Sequence, residues 1–436
     1  MGSAETIIAP ASGSGPAGVS VIRVSGPAAG DVVRTLAGAV PPPRLASLRA
    51  IRDAAGERID RGLVLWFPGP HSFTGEDVAE LQVHGGSAVV AAVLAAACAV
   101  PGVRPAEAGE FTRRAFLNGT IGLSAAEGLA DLIEAETEAQ RRQALRQMEG
   151  GLDRAAMGWR DAIVAALAEA EADIDFPDED LPPGLSASAQ QRIGALKAEL
   201  ERHLLESAQA SRVRDGFKVV ILGAPNAGKS SLLNAIARRE AAIVSDIPGT
   251  TRDVVEVRVV LGGQIVWIAD TAGLRAAADA IEAEGVRRAL ERAEAADLRL
   301  GLWCTQGERV ALEALSPPPD LLVRGKADLE PGSAEWSGLS VSSRTGDGLS
   351  VLEAEITRRA ASGGTGAAAP LTRARHRAAV VEAVAALERA LVAPAGAPEL
   401  AAEDLRLAAR AVGRIAGRVD VEDILDQVFS SFCIGK

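Results

Sequence analysis

Hydrophobic and polar positions follow different patterns along the chain, and the changes between the patterns divide it into regions. Up to about Asn118, short apolar runs alternate with turns, as at Gly18–Ser25, Gly62–Phe67 and Val78–His84. One alanine-rich helical run, Ser87–Val100, lies among them. Short strands with an intervening helix predict an α+β domain.

The rest of the chain is helical, with an interruption. Apolar residues recur at three- and four-residue spacing in Leu123–Asp175 and in Ala187–Val213, which predicts helices. From Phe217–Gly223 onward, apolar strands alternate with helices, which predicts a mainly parallel sheet covered on both faces. A Gly/Ala linker at Ala361–Pro370 ends this pattern, and helical sequence returns.

These changes set the expected domain boundaries. At 436 residues the chain is too long for one ordinary core. We expect an N-terminal α+β domain at 1–118 and a helical domain formed by 119–213 and 371–436. An α/β domain at 214–370 would be inserted into the helical domain, with its two ends close together.

Composition and charge narrow the function classes. The net charge of −12 argues against a surface that binds nucleic acid throughout, although a local basic patch or a basic partner would still bring RNA to it. The 3 cysteines and 4 histidines are scattered, so we expect no disulfide framework or metal cluster and a reducing cytoplasm. We also expect no signal peptide, because the N-terminus lacks a basic segment followed by an apolar core. We expect no membrane association, because the longest apolar run, Ala88–Val100, is too short to cross a bilayer.

A glycine-rich loop follows the first strand of the α/β region. Lys218–Leu222 runs into a G-x-x-x-x-G-K-S sequence at 223–230, and an apolar helix follows. Backbone N–H groups of such a loop and the helix N-terminus bind phosphates. We expect Lys229 to reach the β- and γ-phosphates and Ser230 to ligate Mg²⁺. The other residues expected to bind nucleotide in this loop are Asn226, Ala227, Gly228 and Ser231.

Two further elements follow in the order expected of a nucleotide hydrolase. The strand Ile265–Ala269 leads into Asp270 and Gly273, an acid that can hold Mg²⁺ through water and an amide that can sense the γ-phosphate. The intervening loop Pro248–Asp253 contains two threonines, and one would bring its hydroxyl to the metal. Order and spacing together predict a Ras-like P-loop domain that binds and cleaves GTP with Mg²⁺.

The base-binding motif departs from its usual form. The expected N-K-x-D element reads Gly325-Lys326-Ala327-Asp328, where Asp328 would accept hydrogen bonds from guanine and the Lys326 stem would cover the ring. Glycine removes an amide that would contact the base and brace the phosphate loop, so we expect weaker binding or relaxed base discrimination. Ser342-Ser343-Arg344 is a candidate clamp for the guanine O6.

The residue that orients the attacking water is not determined by these motifs. Leu274 follows Gly273 where a glutamine would serve, and an apolar side chain cannot orient water. The nearby carboxylates do not differ in any way that selects one of them. They are Asp279, Glu282 and Glu284.

Further motifs lie on both sides of the α/β region, at Thr6–Ala9, Gly18–Gly26, Trp66–Pro70, Ser72–Val78, His84–Gly86, Gly109–Asn118 and Phe429–Lys436. With these segments the chain resembles the MnmE (TrmE) family of bacterial GTPases that modify the wobble uridine of tRNA. The resemblance extends over essentially the whole chain. Many GTPases share the phosphate loop, but few share these flanking segments.

The resemblance implies an activity and partners. The N-terminal domain would bind a folate one-carbon donor, 5-formyl-tetrahydrofolate or a related folate, and form a constitutive homodimer. With the FAD-dependent partner MnmG (GidA), in a heterotetramer, the protein would add an aminomethyl or carboxymethylaminomethyl group to carbon 5 of the uridine. Hydrolysis of GTP to GDP would drive the G domains together and apart, and K⁺ would be needed for their pairing.

The resemblance also implies roles for individual residues of the G domain. Asn226 would ligate K⁺ together with Thr250 and backbone oxygens of Ser245 and Ile247, and Thr251 would join Ser230 on Mg²⁺. Glu282 corresponds to the glutamate that orients water, and Arg275 to a switch residue. The expected catalytic residues are therefore Glu282, Lys229 and Arg275.

For the folate, the corresponding residues are Arg23, Glu80 and Lys436. A cation and a carboxylate suit a ligand with an acidic tail and a pterin ring rich in donors. Thr120 stands where a lysine is expected, which weakens this expectation. Cys433 lies near the chain end at a position important for modification in the family, either as a nucleophile or as a packing residue.

Two other functions compete with tRNA modification. One is a regulatory or ribosome-assembly GTPase without transfer chemistry, for which Gly325 and Thr120 leave room. The other is an ATP-driven P-loop protein, which Asp328 and the threonine pair disfavour. The inserted topology and the C-terminal segment favour tRNA modification.

Overall fold

The computed structural model describes residues 5–13, 15–175, 185–239, 256–270, 295–329, 336–361, 371–394, 397–417, 429, 432 and 435. The chain forms two compact units. The first contains Met1–Ala130, Arg146–Lys197 and Ala379–Lys436, and the second contains Asp131–Leu145 and Ala198–Ala378. None of the described helices is long and apolar enough to cross a membrane.

A 6-stranded sheet organises the N-terminal part of the first unit, in the order β3-β4-β5-β2-β1-β6. Its pairings are antiparallel except for β1 with β6. The strands are β1 (Thr6–Pro10), β2 (Ser20–Ser25), β3 (Ser47–Arg52), β4 (Arg58–Phe67), β5 (Val78–Val83) and β6 (Val103–Pro105). The predicted α+β character of this region is confirmed.

Helices cover this sheet because apolar positions on both elements meet. The helices are α1 (Ala29–Ala37), α2 (Ser87–Cys98) and α3 (Glu110–Leu117). Val33 and Leu36 of α1 and Val93 of α2 join Ile22 and Leu81 of the sheet in one buried cluster. Alternate residues of β2 point into this cluster, as the two-residue period of a strand requires.

The helices that follow are α4 (Leu123–Glu134), α5 (Glu138–Met148), α6 (Gly151–Asp175), α7 (Ala187–Asp215), α11 (Ala374–Val392) and α12 (Pro398–Ile415). Helices α6 and α12 pack on each other within the first unit. The buried face of α12 includes Leu405, Ala408 and Val412, at three- and four-residue spacing. Small side chains at such a face let two helices approach closely, as the alanine-rich sequence suggests.

The second unit contains a 5-stranded sheet in the order β11-β10-β7-β9-β8. Its strands are β7 (Phe217–Leu222), β8 (Glu256–Leu261), β9 (Gln264–Asp270), β10 (Leu298–Trp303) and β11 (Leu321–Arg324). Every pairing is parallel except that of β8 with β9. The mainly parallel sheet predicted from the sequence is thus confirmed, with an antiparallel edge formed through the turn at Gly262 and Gly263.

Both faces of this sheet are buried. Val219 and Ile221 of β7 belong to one apolar cluster, and Val220 and Leu222 belong to another on the opposite face. The three described helices around the sheet are α8 (Lys229–Arg239), α9 (Gln306–Glu313) and α10 (Leu349–Ala361). Arg212 of α7 donates to Asp297 at 2.7 Å, and the same carboxylate accepts the backbone N–H of Lys218 at 2.9 Å, which fixes the start of β7.

Candidate functional site

The phosphate loop connects β7 to α8 and has the backbone that its glycines permit. A Cβ on Gly223 would lie 2.3 Å from the carbonyl oxygen of Leu302, so only glycine fits there. Asn226 and Gly228 have φ of 64° and 98°, which turns the chain sharply before the helix begins. Such a turn directs successive N–H groups into a concave anion site.

Lys229 is 6% exposed at the start of α8. Its ammonium donates to the carbonyl oxygens of Gly223 and Ala224 at 2.8 and 2.9 Å. These bonds hold the positive charge of Lys229 over the loop that the motif predicts to bind phosphate.

Ser230 and Asp270 lie together, as the metal site requires. Asp270 ends β9, which pairs with β7 beside the loop, and it is 2% exposed. The hydroxyl of Ser230 donates to its carboxylate Oδ2. A hydroxyl and a carboxylate are oxygen ligands of the kind that Mg²⁺ prefers, and Mg²⁺ commonly takes its remaining ligands from phosphates and water. The residues present therefore fit Mg²⁺. No group of three or more His, Cys, Asp or Glu residues that could hold a metal occurs among the described residues.

A cavity of about 370 Å³ extends from this loop to the base motif. Its polar lining includes Ser231, Lys326, Asp328, Ser343 and Arg344. The cavity thus brings together the loop, the G-K-A-D motif and the S-S-R segment, which lie far apart in the sequence. A nucleotide with its phosphates on the loop would place its base here.

Asp328 is held as an ionised acceptor. The hydroxyl of Ser342 donates to its Oδ1 at 2.7 Å, and the Arg344 Nε lies 2.9 Å from its Oδ2. The Ser342 hydrogen bond first, with a further contribution from Arg344, holds the pKa of the Asp328 carboxyl below its ordinary value. A carboxylate in this state can accept hydrogen bonds from the N–H groups of guanine.

The phosphate loop is also tied to the base motif. Lys326, with a φ of 52°, donates from Nζ to the carbonyl oxygen of Asn226 at 2.8 Å. The Cys304 thiol donates to the carbonyl oxygen of Ala227 at 3.4 Å. The sequence motifs do not predict a role for Cys304. They indicate only that Gly325 lacks a side-chain amide that would hold the phosphate loop.

Several predicted site residues lie outside the described residues. In the G domain these are Ser245, Ile247, Thr250, Thr251, Gly273, Arg275 and Glu282, and at the chain end they are Cys433 and Lys436. The described residues of the predicted nucleotide site are Asn226, Ala227, Gly228, Lys229, Ser230, Ser231, Asp270, Lys326 and Asp328. All of these border the loop, the cavity or the Ser230–Asp270 pair.

The first unit brings together the two described candidates for folate. Arg23 and Glu80 face each other across β2 and β5, and the guanidinium donates to Glu80 Oε1 at 2.9 and 3.1 Å. Arg23 also lies over the rings of Phe73 and Phe111, at 5.3 and 5.9 Å. The pair is about one-fifth exposed, with side-chain values of 22% and 19%. A charged pair beside aromatic rings fits an acidic ligand with an aromatic ring, provided the ligand replaces part of the ion pair.

Other motif residues of this unit form hydrogen bonds near the Arg23–Glu80 pair. Ser25 bonds Thr74 and Glu76, each at 2.7 Å, and the buried Arg114 donates to Glu76 at 3.1 Å. The Thr120 hydroxyl donates to the Phe73 carbonyl oxygen at 2.9 Å, so the residue that departs from lysine holds the segment containing Phe73.

The described residues of the C-terminal segment lie against the same unit. Phe429 and Phe432 pack with Phe116 in a buried cluster. A Cβ on Gly435 would lie 1.8 Å from the carbonyl oxygen of Pro10, at the end of β1. Pro10 pairs with Ile22, which precedes Arg23. The glycine next to the chain end therefore lies close to the strand that carries Arg23.

Comparison with known proteins agrees with these observations. Residues 6–120 match the family model described as "GTP-binding protein TrmE N-terminus", and residues 123–433 match that of the MnmE helical domain. The "tRNA modification GTPase MnmE" of Maricaulis maris is 56% identical over 99% of this chain and 99% of its own length. That of Rhodospirillum rubrum is 54% identical, again over 99% of each chain.

Among solved structures, the G domain of the FeoB iron transporter of T. maritima covers 33% of this chain and 98% of its own. Its identity is 22% and its TM-score is 0.26. The two family models and the full-length relatives decide the assignment. The chain belongs to the MnmE family of tRNA modification GTPases.

Proposed function

We propose that this protein hydrolyses GTP with Mg²⁺ and, with an FAD-dependent partner of the MnmG (GidA) type, modifies carbon 5 of the wobble uridine of tRNA. The observation that carries the hydrolase part is the pairing of Ser230 with Asp270 beside Lys229. The tRNA part rests on the family, whose full-length relatives are named tRNA modification GTPases, and the carbon-5 chemistry and the partner rest on the family resemblance.

The described residues have separable tasks in this hydrolysis. The loop amides and Lys229 bind the β- and γ-phosphates, which puts positive charge where negative charge develops. Ser230 and Asp270 would hold Mg²⁺, which neutralises phosphate charge when bound. Asp328 accepts from the base and thereby selects guanine. Since the chain supplies few groups that react directly, its contribution is positioning and electrostatics.

Glu282 is proposed as the residue that orients the attacking water, and Arg275 as a switch residue. Leu274 supports this, because it cannot take the role that glutamine has in other GTPases. Changing Glu282→Ala should reduce kcat by at least about 100-fold while GTP binding stays within about 2-fold. Normal turnover by the variant would show that another group orients the water.

K⁺ is proposed to bind beside the phosphates through Asn226, Ser245, Ile247 and Thr250. A monovalent cation at that point would supply the charge that an arginine finger supplies elsewhere. The φ of 64° at Asn226 places it at the sharp turn of the loop, which supports a position beside the phosphates. Hydrolysis in K⁺ should exceed that in Na⁺ at equal ionic strength, and equal rates would remove this part of the proposal.

The folate one-carbon donor is proposed to bind the first unit through Arg23, Glu80 and Lys436. The aromatic neighbours of Arg23 and the position of Gly435 beside β1 support this. Calorimetry with 5-formyl-tetrahydrofolate should detect binding that Arg23→Ala weakens. The homodimer is proposed on the family resemblance, the cytoplasmic location on the scattered cysteines, and the domain boundaries at 118, 213 and 370 on the changes of sequence pattern.

A direct test separates the hydrolase from an ATP-driven protein. The purified chain should cleave GTP with Mg²⁺, and ATP at a rate lower by at least about 100-fold, because adenine cannot donate the hydrogen bonds that Asp328 accepts. Comparable rates for both nucleotides would contradict the proposal. A regulatory or ribosome-assembly GTPase would pass this test, but the match of residues 6–120 to the TrmE N-terminus favours tRNA modification.

A further inference from the structure

The departure at position 325 leaves the phosphate loop without the side-chain amide expected there, yet the loop is braced. Two successive carbonyl groups of the loop accept hydrogen bonds from outside it. Asn226 accepts from Lys326 at 2.8 Å and Ala227 accepts from Cys304 at 3.4 Å. The second bond involves a residue that no sequence motif of GTPases includes.

The strand register explains why Cys304 reaches this place. Strands β10 and β11 are parallel, with Trp303 opposite Arg324. Cys304 and Gly325 directly follow the ends of these two strands, so they lie side by side next to the phosphate loop. The backbone N–H of Gly325 donates to the Trp303 carbonyl at 2.7 Å, which holds the two positions together.

The space around Gly325 shows that the thiol and a side chain at 325 would compete. A Cβ on Gly325 would lie 3.2 Å from the Ala227 carbonyl oxygen and 3.5 Å from Cys304 Sγ. It would also lie 3.2 Å from Leu302 Cδ1. A longer side chain at 325 would therefore approach the same carbonyl from the volume that the thiol borders.

We propose that Cys304 is a positioning residue for the nucleotide site, which braces the phosphate loop through the Ala227 carbonyl in place of an asparagine side chain at position 325. In a trans peptide the carbonyl and the next N–H point in opposite directions. Holding the Ala227 carbonyl thus fixes the direction of the Gly228 N–H, one of the amides that the motif assigns to phosphate.

The chemical state of the thiol suits this task. Burial raises the pKa of the Cys304 thiol above its ordinary value. The group therefore stays protonated at neutral pH and can donate, whereas a thiolate could only accept. The thiol is half-buried beside Gly325, which lines the cavity.

The inference rests on the proposed GTP site and changes one expectation drawn from the sequence. Gly325→Asn alone should not tighten nucleotide binding, because the thiol already holds the carbonyl and the added side chain is crowded. The same change in a Cys304→Ala background should tighten it, because the asparagine can enter the vacated space. The effect of Gly325→Asn therefore depends on the thiol, as expected when two side chains compete for the same Ala227 carbonyl.

The experiment measures Kd for GDP by calorimetry on the full chain carrying Cys304→Ala, Cys304→Ser, Gly325→Asn and the double change Cys304→Ala with Gly325→Asn. Cys304→Ala should raise Kd about 2- to 10-fold, the range of a lost neutral hydrogen bond. Cys304→Ser keeps a donor and should recover most of the affinity. The double variant should bind more tightly than Cys304→Ala alone.

Two further measurements separate positioning from general destabilisation. Cys98→Ala is the matched control, because Cys98 is also half-buried and its thiol pKa is likewise raised by burial, but it lies in α2 of the first unit. It should leave Kd unchanged. The ratio of GDP to ADP affinity should stay constant in Cys304→Ala, since the thiol acts on the loop and not on the base.

Two results would overturn the inference. One is an unchanged Kd in Cys304→Ala, and the other is an equal effect of Gly325→Asn with and without the thiol. If the unaltered protein did not bind GDP at all, the proposed function itself would fail, so the two failures are distinguishable.

Discussion

At the scale of single residues, the proposed Mg²⁺ site depends on one hydroxyl. Ser230 is the described residue that joins the phosphate loop to Asp270. Ser230→Ala should lower kcat for GTP by at least about 100-fold, as loss of one preorganised electrostatic contact commonly does. The remaining activity should need more Mg²⁺. Steady-state rates across a Mg²⁺ titration measure both effects.

The control for this change is Ser350→Ala, because Ser350 is an exposed serine in the first turn of α10. It removes the same hydroxyl from a helix start in the same unit and should leave kcat unaltered. If Ser230→Ala had no larger effect than this control, the assignment of the metal site would be wrong.

The proposed selection of guanine also depends on a single residue, Asp328. Asp328→Asn replaces one acceptor by an amide donor, which faces the donors of guanine. Binding of GDP should weaken by about 100-fold or more, while xanthosine diphosphate, with an oxygen in place of the 2-amino group, should gain affinity. Competition binding with GDP and xanthosine diphosphate measures the change in their relative affinities. Equal losses for both would mean that Asp328 does not contact the base.

The pH dependence of base selection follows from the lowered pKa of Asp328. Because the pKa of the Asp328 carboxyl lies below its ordinary value, the carboxylate stays ionised as pH falls and stops accepting only at a lower pH than an ordinary aspartate would. The ratio of GDP to inosine diphosphate affinity, in which phosphate protonation cancels, should stay constant from about pH 7.5 to about pH 5. A ratio that falls near pH 6 would show a different titrating acceptor.

At the scale of secondary-structure elements, the close packing of α6 and α12 tests the use of alanine in the core. Ala408 is 0% exposed on α12. Ala408→Leu would overfill this face and should destabilise the protein by about 1–3 kcal/mol. Ala385→Leu, at an exposed position of α11, makes the same change without a packed neighbour and should have little effect.

Urea unfolding followed by circular dichroism compares the two variants, with the transition read for each unit because a chain of two units need not unfold in one step. Equal midpoints for Ala408→Leu and the unaltered protein would contradict close packing at this face.

Elements with strong local signals could be predicted from the sequence, and those defined by pairing could not. The alanine-rich run gave α2, and the apolar runs gave β7 and β9 close to their observed bounds. The strand β6, Val103–Pro105, is too short for a periodic signal and exists through its pairing with β1. The β8–β9 hairpin depends on the positive φ of Gly262 and Gly263, a turn signal that apolar patterning does not contain.

The candidate site divides in the same way. Motif spacing selects Lys229, Ser230, Asp270 and Asp328 as candidates, because each has a fixed place relative to a strand end or a helix start. Cys304 could not be found, since its place beside the loop follows from the register of β10 with β11. That register is a long-range property, and no local pattern encodes it.

At the scale of the whole molecule, the acidic chain must act on an anionic substrate if the proposal holds. The net charge of −12 opposes binding of RNA over the surface as a whole. The proposal therefore places tRNA binding at a local basic surface or on the FAD-dependent partner. Both family models and the relatives that match over 99% of the chain support the modification of tRNA rather than a purely regulatory role.

The most direct test is mass spectrometry of tRNA nucleosides from cells that lack this chain, from cells with the chain restored, and from cells restored with Ser230→Ala. We expect loss of the aminomethyl-type 5-substituted wobble uridines without the chain, recovery with it, and no recovery with the variant. Unchanged nucleosides in the cells that lack the chain would contradict the proposed tRNA modification and leave a GTPase with a regulatory function.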